Sequence, residues 1–399
     1  MNPSMLLICL FLAAANVSAQ HVDSLTVLAN NGDASAQFQL VRLYMEQDDH
    51  VQTLHWLKRS AKNGHPEAQN ILGVYYERGM VDGTPDPAKA FELYTASANQ
   101  HHVQAIHNLG LSYFNGRGTA ANQTTGTALL KKAADMGDVP SQYFTGAAYM
   151  NGFGVVKNMD TALYYLEAAA NGNDPRANNE LGVLYEFGNG VQQNGHQAFT
   201  HYRKAADTYY LAAYNLAQCY FKGTGTAIDY KLSLHWFEKA AAVDYLPAIY
   251  NIGVFYDKGY GVTQNIPLAT EYYLRAADLG YDLAQFNMAN LYEAGQGVEH
   301  NLDKALKYYQ MAAGQGFARA WFNIGNMYFE GRGVEKDYTK AIDCYTHAAN
   351  GGQAGAQFNL GLIYKTGIGV TPDLERAKHW LKLAAEQGDE EAQQELDTL

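Results

Sequence analysis

Ala320-Trp-Phe-Asn-Ile-Gly325-Asn-Met-Tyr328-Phe-Glu-Gly331-Arg-Gly333-Val334 is one copy of a phrase that recurs along most of this 399-residue chain. Its opening small residue stands at Ala36, Ala68, Ala105, Ser141, Ala177, Ala212, Ala248, Ala284, Ala320, Ala356 and Ala392. Successive openings lie 35 to 37 residues apart, after a first step of 32. A fixed period of this size marks stacked supersecondary units, and the chain is longer than one core usually serves. Eight residues after the opening, a tyrosine recurs in all ten complete copies, from Tyr44 to Tyr364. The eleventh copy ends at Leu399 before reaching one. Residues 390–399 are therefore expected to form a polar cap over the last apolar face.

Within a copy, Ala320, Ile324 and Tyr328 share one stripe of a helix, helix A, with Gly325 at its border for close approach of a neighbour. Gly331-Arg-Gly333 ends that helix, because a residue without Cβ adopts the left-handed backbone readily. Asp337 is placed to cap helix B, which carries Ala341, Cys344, Tyr345 and Ala348-Ala349 and ends at Gly351-Gly352. Such a pair cannot bury its own stripe, so the core must come from stacking. The first two copies depart from the pattern. Asp48-Asp49-His50 replaces Gly-x-Gly in one, and an insertion from Met80 to Pro87 replaces the second Gly in the other. Altered links between helices A and B are expected there.

The phrase A-x-x-x-L-G-x-x-Y-x-x-G-x-G-V, followed by D-x-x-K-A and A-A-x-x-G, resembles the Sel-one-like repeat (SLR) family, a 36-residue cousin of the tetratricopeptide repeats. Clean matches run from Ala320 to Gly333-Val334 with Lys340-Ala341, and from Ala284 to Gly297-Val298 with Asp303 and Lys304-Ala305. The resemblance covers about residues 33–399. It implies an all-α, right-handed α-solenoid superhelix of about ten helix-turn-helix repeats with helix A lining the concave side. It also implies an adaptor, in bacteria often exported, in eukaryotes serving endoplasmic-reticulum quality control. A cysteine-rich subgroup has penicillin-binding or β-lactamase activity. The paired cysteines of that subgroup are missing here, so the activity is not carried over; a cell-wall or β-lactam hydrolase stays the alternative.

The N-terminus reads differently. Met5 to Ala15 is uncharged and mostly apolar, and Val17-Ser18-Ala19 offers a small-x-small cleavage pattern, so residues 1–19 are expected to be a signal peptide and 20–399 the solenoid. The run is shorter than the roughly 20 residues that span a bilayer. The mature chain is expected to have no transmembrane segment and to be periplasmic or secreted, or lumenal if eukaryotic; an uncleaved anchor is the other reading. A net charge of −12, from 40 acidic and 28 basic residues without basic blocks, gives no footprint for nucleic acid. Cys219 and Cys344 fall three units apart and read as buried thiols.

No Ser-x-x-Lys, Gly-x-Ser-x-Gly, His-Glu-x-x-His, P-loop or Cys-x-x-Cys occurs. The Gly-x-Gly pairs sit at helix ends, so they are turn glycines. His101, His102 and His107 have no completing ligand at metal spacing. Neither catalytic residue, cofactor nor metal is expected. Asn122-Gln-Thr124 is a glycosylation sequon in a link. A partner is expected instead on the face of helix A turned away from the stripe. Tyr214, Tyr250, Phe286, Phe322 and Phe358 stand two residues after the opening, and Asn215, Asn251, Asn287, Asn323 and Asn359 three residues after it. The amides suit the backbone of an extended peptide, and the rings suit anchoring contacts. Both sets also suit packing between helices, and the sequence leaves the two readings open.

Overall fold

The computed structural model describes residues 19–399, and the expected leader, apart from Ala19, lies outside them. Among the described residues there are twenty-two helices and no strand. Met1–Asn194 and Gly195–Leu399 form two compact units. The first holds α1 (Ala19–Asn30) and then the repeats α2 (Ala34–Glu46) and α3 (His50–Lys62), α4 (Pro66–Glu77) and α5 (Pro87–Ala98), α6 (Val103–Asn115) and α7 (Gln123–Asp135), α8 (Val139–Asn151) and α9 (Met159–Asn171), then α10 (Pro175–Phe187). The second holds α11 (Gly195–Ala205), then α12 (Tyr210–Lys222) and α13 (Tyr230–Ala241), α14 (Leu246–Lys258) and α15 (Ile266–Asp278), α16 (Asp282–Ala294) and α17 (Leu302–Gly314), α18 (Ala318–Glu330) and α19 (Tyr338–Asn350), α20 (Ala354–Thr366) and α21 (Leu374–Glu386), and the closing α22 (Glu390–Asp397). Each is a stack of helix pairs, an α-solenoid. No described helix is long and apolar enough to cross a membrane.

The recurring phrase is legible atom by atom. At the third repeat the first glycine of the pair, Gly116, has φ 71° and closes helix A by donating to the Ser112 carbonyl; the second, Gly118, has φ 71° and lies where an added Cβ would meet the Pro87 carbonyl oxygen at 2.0 Å. The first glycine ends a helix, and the second lets the link press on helix B of the preceding repeat. The cap residue of helix B then donates its N–H to the carbonyl of the recurring tyrosine, as Asn122 does to Tyr113 at 2.7 Å and Asp373 to Tyr364 at 2.8 Å. The cap's side chain accepts from the third helical N–H, as Asp337 does from Lys340 at 3.0 Å. The lysine of D-x-x-K lies over the tyrosine ring: Lys304 over Tyr292 at 5.0 Å and Lys340 over Tyr328 at 5.2 Å.

Packing follows from small residues at two places. A Cβ on Gly325 would lie 2.6 Å from the ring of Tyr345, and one on Gly73 equally close to Tyr94. The glycine is what lets a large helix B side chain lie flat on helix A. Alanine pairs such as Ala276-Ala277 and Ala312-Ala313 are almost wholly buried at the ends of helices B. The links of the first two repeats are altered as expected, running over residues 47–49 and 78–86 instead of the seven-residue pattern of 331–337. In the short one Asp48 takes the left-handed conformation, φ 58°, that glycine takes elsewhere. The C-terminal cap is helix α22, whose Ala392 is fully buried against Leu381 and Ala384. Cys219 and Cys344 are free and buried, and burial, followed by the Asp343 charge, pushes the Cys344 thiol up to about 11.

Candidate binding face

Residues at the opening and four positions on, such as Ala284 and Met288, are fully buried. The next positions round the helix are not: Tyr214, Tyr250, Phe286, Phe322 and Phe358 are all half-buried, as are Asn215, Asn251, Asn287, Asn323 and Asn359. The ten expected residues therefore do share one partly open face of helices A in Gly195–Leu399. Their side chains are also engaged with the protein. Asn287 donates to the Tyr250 hydroxyl at 2.7 Å, and Asn251 to the Pro247 carbonyl at 2.8 Å and the Tyr214 hydroxyl at 3.4 Å. Asn323 reaches Asn290 at 3.5 Å, and Asn359 bonds the Tyr345 hydroxyl. Phe358 packs against Leu381 and Ala384.

The aromatic set has a second half that sequence reasoning missed. Tyr245, Tyr281 and Phe317 stand three residues before an opening, at the N-cap of helix A, and each meets the ring of the repeat before it, edge-on for the two tyrosines and tilted for Phe317. The centroids of Tyr214 and Tyr245 are 5.2 Å apart, of Tyr250 and Tyr281 5.5 Å, and of Phe286 and Phe317 4.9 Å. Burial, with the neighbouring Tyr214, Asp282, Tyr250 and Tyr245, pushes the Tyr281 hydroxyl up to about 12. The same register holds in Met1–Asn194 with other chemistry. His65 stacks on Phe38 at 4.3 Å, and Asp138 meets His107 at 3.3 Å. The signal was the 36-residue recurrence of an aromatic at 245, 281 and 317, which a search centred on the apolar stripe passes over.

Two other sets tie the repeats together. The residue after the opening is glutamine in several copies, and it is buried: Gln285 donates to the Ala277 carbonyl at 3.1 Å and accepts from Gln315 at 2.9 Å. Gln357 repeats this with Ala349 and Gln387. Each relay brings a second donor to a last-turn carbonyl of the preceding helix B that already accepts the N–H of Gly280 or Gly352. Nine residues after the opening, a side chain meets the middle residue of the next Gly-x-Gly. Glu77 pairs with Arg117 at 3.1 Å and Glu293 with Arg332, while Phe114 meets Phe153 at 6.0 Å and Phe221 meets Tyr260 at 5.4 Å. Glu77 also accepts from Tyr94 at 2.8 Å, and Glu293 from Tyr309 at 2.6 Å.

The histidines disperse. His102 is the N-cap of α6 and makes no side-chain cap bond, whereas His107 bonds the Ser141 hydroxyl at 2.7 Å through the same Nδ1 that faces Asp138. A nucleophile relay needs the two ring nitrogens on opposite partners, so this cluster is not one. Burial would raise the Asp138 pKa, but hydrogen bonds from His107 and Ser141 hold it below the usual carboxylate value. Among the described residues no group of three or more His, Cys, Asp or Glu side chains converges to hold a metal. Asn122 of the sequon is the cap of α7 and accepts from Thr125 at 3.0 Å.

Comparison with known proteins places this geometry. The Sel1 repeat model matches ten times, at residues 34–65, 66–102, 103–138, 139–174, 175–207, 211–245, 246–281, 282–317, 318–353 and 354–389. The fold is similar to that of c5321, described as a protective antigen present in uropathogenic Escherichia coli strains and displaying an SLR fold. That match has 32% identity and a TM-score of 0.77, and covers 96% of this chain and 82% of that one. A Sel1 repeat protein from Oxalobacter formigenes is 28% identical with a TM-score of 0.62, over 82% of this chain and 93% of that one. Among curated proteins, an uncharacterized protein of Neisseria meningitidis serogroup B is 35% identical over 114 residues, 29% of this chain and 24% of its own length. Chitin synthase regulatory factor 3 of Schizosaccharomyces pombe is 30% identical over 82 residues, 21% of this chain and 9% of its own length. The chain thus spans a quarter or less of the curated relatives it matches.

Proposed function

Because the chain belongs to the Sel1 repeat family, a scaffold fold that typically mediates protein–protein interaction, we propose that it is an exported, non-catalytic scaffold holding a protein or extended peptide on the helix A face of Gly195–Leu399. One observation carries the choice of face: the half-buried rings of Tyr214, Tyr250 and Phe286, paired with rings one repeat on and flanked by Asn251 and Asn287. Large aromatic surfaces with amides beside them supply contact area at low entropic cost, which is what an interface selects. The apolar N-terminal run supports export, to the periplasm or beyond, and the likeness to a protective antigen of uropathogenic bacteria supports a partner outside the producing cell. The acidic balance gives nucleic acid no foothold.

Affinity capture with the tagged mature chain, from periplasm and from culture medium separately, tests this. Replacing Asn251, Asn287 and Asn323 together by Ala should release the captured partner while the helical circular dichroism holds. A partner retained by that variant would place binding elsewhere, and sustained hydrolysis of a chromogenic β-lactam by the pure protein would overturn the non-catalytic reading.

A further inference from the structure

We propose that the second and third repeats carry an acid-triggered release: protonation of His65 and His102 unlocks the first turns of α4 and α6, while the other helices A stay closed. The inference goes beyond the scaffold role and does not depend on which face takes the partner.

The first support is what stands at the N-cap of each helix A. Carboxylates cap α2, α8, α10 and α22. At α12, α14, α16, α18 and α20 the position is a tyrosine, a phenylalanine or a glutamine, and no side-chain cap bond forms. Histidine stands there at α4 and α6, as His65 and His102. Carboxylates, phenols and amides keep their charge between about pH 7.5 and 5.5, whereas an imidazole changes it. His201 lies inside α11 and caps no helix.

The second support is the geometry of the two rings. His65 accepts the Ala68 N–H through Nδ1 at 3.3 Å, so the cap exists while that nitrogen holds its lone pair. A proton there sets one donor against another and places a cation at the positive end of α4. His102 is the more demanding case. Its Nδ1 is buried and meets no hydrogen-bond partner, so a proton on it would be a buried cationic donor with nothing to receive it. Opening the first turn of α6 gives that N–H water.

The third support is the charge around them. Burial comes first in holding His65 below its ordinary value; Glu67 on α4 opposes it, and Arg42 from α2 and His102 from α6 add to it. Glu67 is engaged by Arg42 at 3.0 Å, and the Arg42 guanidinium lies over Phe38, the ring on which His65 stacks at 4.3 Å. Burial likewise holds His102 low against the pull of Glu67. Both rings therefore stabilise the fold above about pH 6.5, and that contribution is lost as pH falls through this value toward their lowered folded values. His107, farther along α6, faces Asp138 at 3.3 Å, a pair that a proton strengthens, so acid does not loosen α6 there.

Hydrogen–deuterium exchange of the full mature chain at pH 7.5 and 5.5, corrected for the intrinsic rate at each pH, tests this. Loss of one cap multiplies local opening about fivefold. Protection of the amides of residues 68–72 and 105–109 should fall at least about fivefold in acid, and that of 248–252 and 284–288 less than about twofold. An equal fall in all four segments would make the effect global and overturn the inference, as would unchanged protection at 68–72 and 105–109. His65→Asn with His102→Asn supplies cap acceptors that do not titrate, so the fall in acid should vanish from both segments. His65→Asn alone should abolish it at 68–72 and leave it at 105–109. A fall that persists in the double variant would assign it to other groups and sink the proposal too.

Discussion

Gln285 is 2% exposed, yet both ends of its amide are occupied, by the Ala277 carbonyl on one side and the Gln315 amide on the other. Gln285→Leu keeps the volume and leaves the Ala277 carbonyl only the Gly280 N–H and the Gln315 amide only the Gly280 carbonyl, so it should destabilise by about 1 kcal/mol in denaturant unfolding. His102 poses the converse case. Its buried Nδ1 has no partner, and burial lowers its pKa below 6.5, as burial also does at His65, where the Glu67 charge opposes and Arg42 and His102 add to it. The unfolded chain therefore binds protons that the folded chain refuses. The stability contribution is present above about pH 6.5 and is lost as pH falls through that value toward the lowered folded pKa. His102→Asn supplies a cap acceptor that does not titrate, so it should raise stability by about 1 kcal/mol and flatten the pH dependence of Tm between about 7.5 and 5.5. A variant no more stable than the parent would show that the cap position is satisfied already. Neither residue was legible as special in the sequence. A lone buried glutamine looks like any polar residue of helix A until the carbonyl it meets, eight residues upstream in another helix, is in view.

At the scale of the element, far more could be read. The apolar stripe, the glycine pair and the Asx cap each announce themselves locally, because each depends on residues within one turn. Both altered links were legible for the same reason, since the first lacks both glycines of the pair and in the second the insertion from Met80 to Pro87 displaces the second one. What joins one repeat to the next was not legible, because Glu293 and Arg332 lie 39 residues apart and only the stack brings them together. The pair is partly exposed, so a double-mutant cycle on Glu293→Ala and Arg332→Ala should give a coupling of about 0.5–1 kcal/mol. Glu77 and Arg117 should give a similar value, and a coupling near zero at both would reduce them to incidental surface contacts. The face expected to bind was legible in part. The rings two residues after the opening were found from helical geometry, but Tyr245 and Tyr281 occupy a cap position where sequence reasoning looks for Asp or Ser and stops.

At the scale of the whole molecule, repetition decided the fold before any tertiary contact was considered, whereas the partner and compartment depend on a surface and on the N-terminal apolar run, which repetition does not encode. Mass spectrometry of protein recovered from the periplasm or medium should find a chain beginning at Gln20; a retained Met1 would make the apolar run an anchor. If the partner lies on the proposed row, whose rings and amides are uncharged, its affinity should change by less than about threefold between 50 and 500 mM salt, where a charge-selected partner would lose far more. The mating of Glu293 with Arg332 and of Phe221 with Tyr260 has a bearing on how such a chain can change length. Gene recombination readily removes whole copies from a tandem array, and excising one whole copy keeps the helices in phase. Excising residues 282–317 would bring Asp257 opposite Arg332, acid still facing base, whereas excising 246–281 would set Phe221 against Gln296. The ancestry of such arrays should therefore show the first kind of shortening tolerated and the second one rare, so that not every copy is equally dispensable.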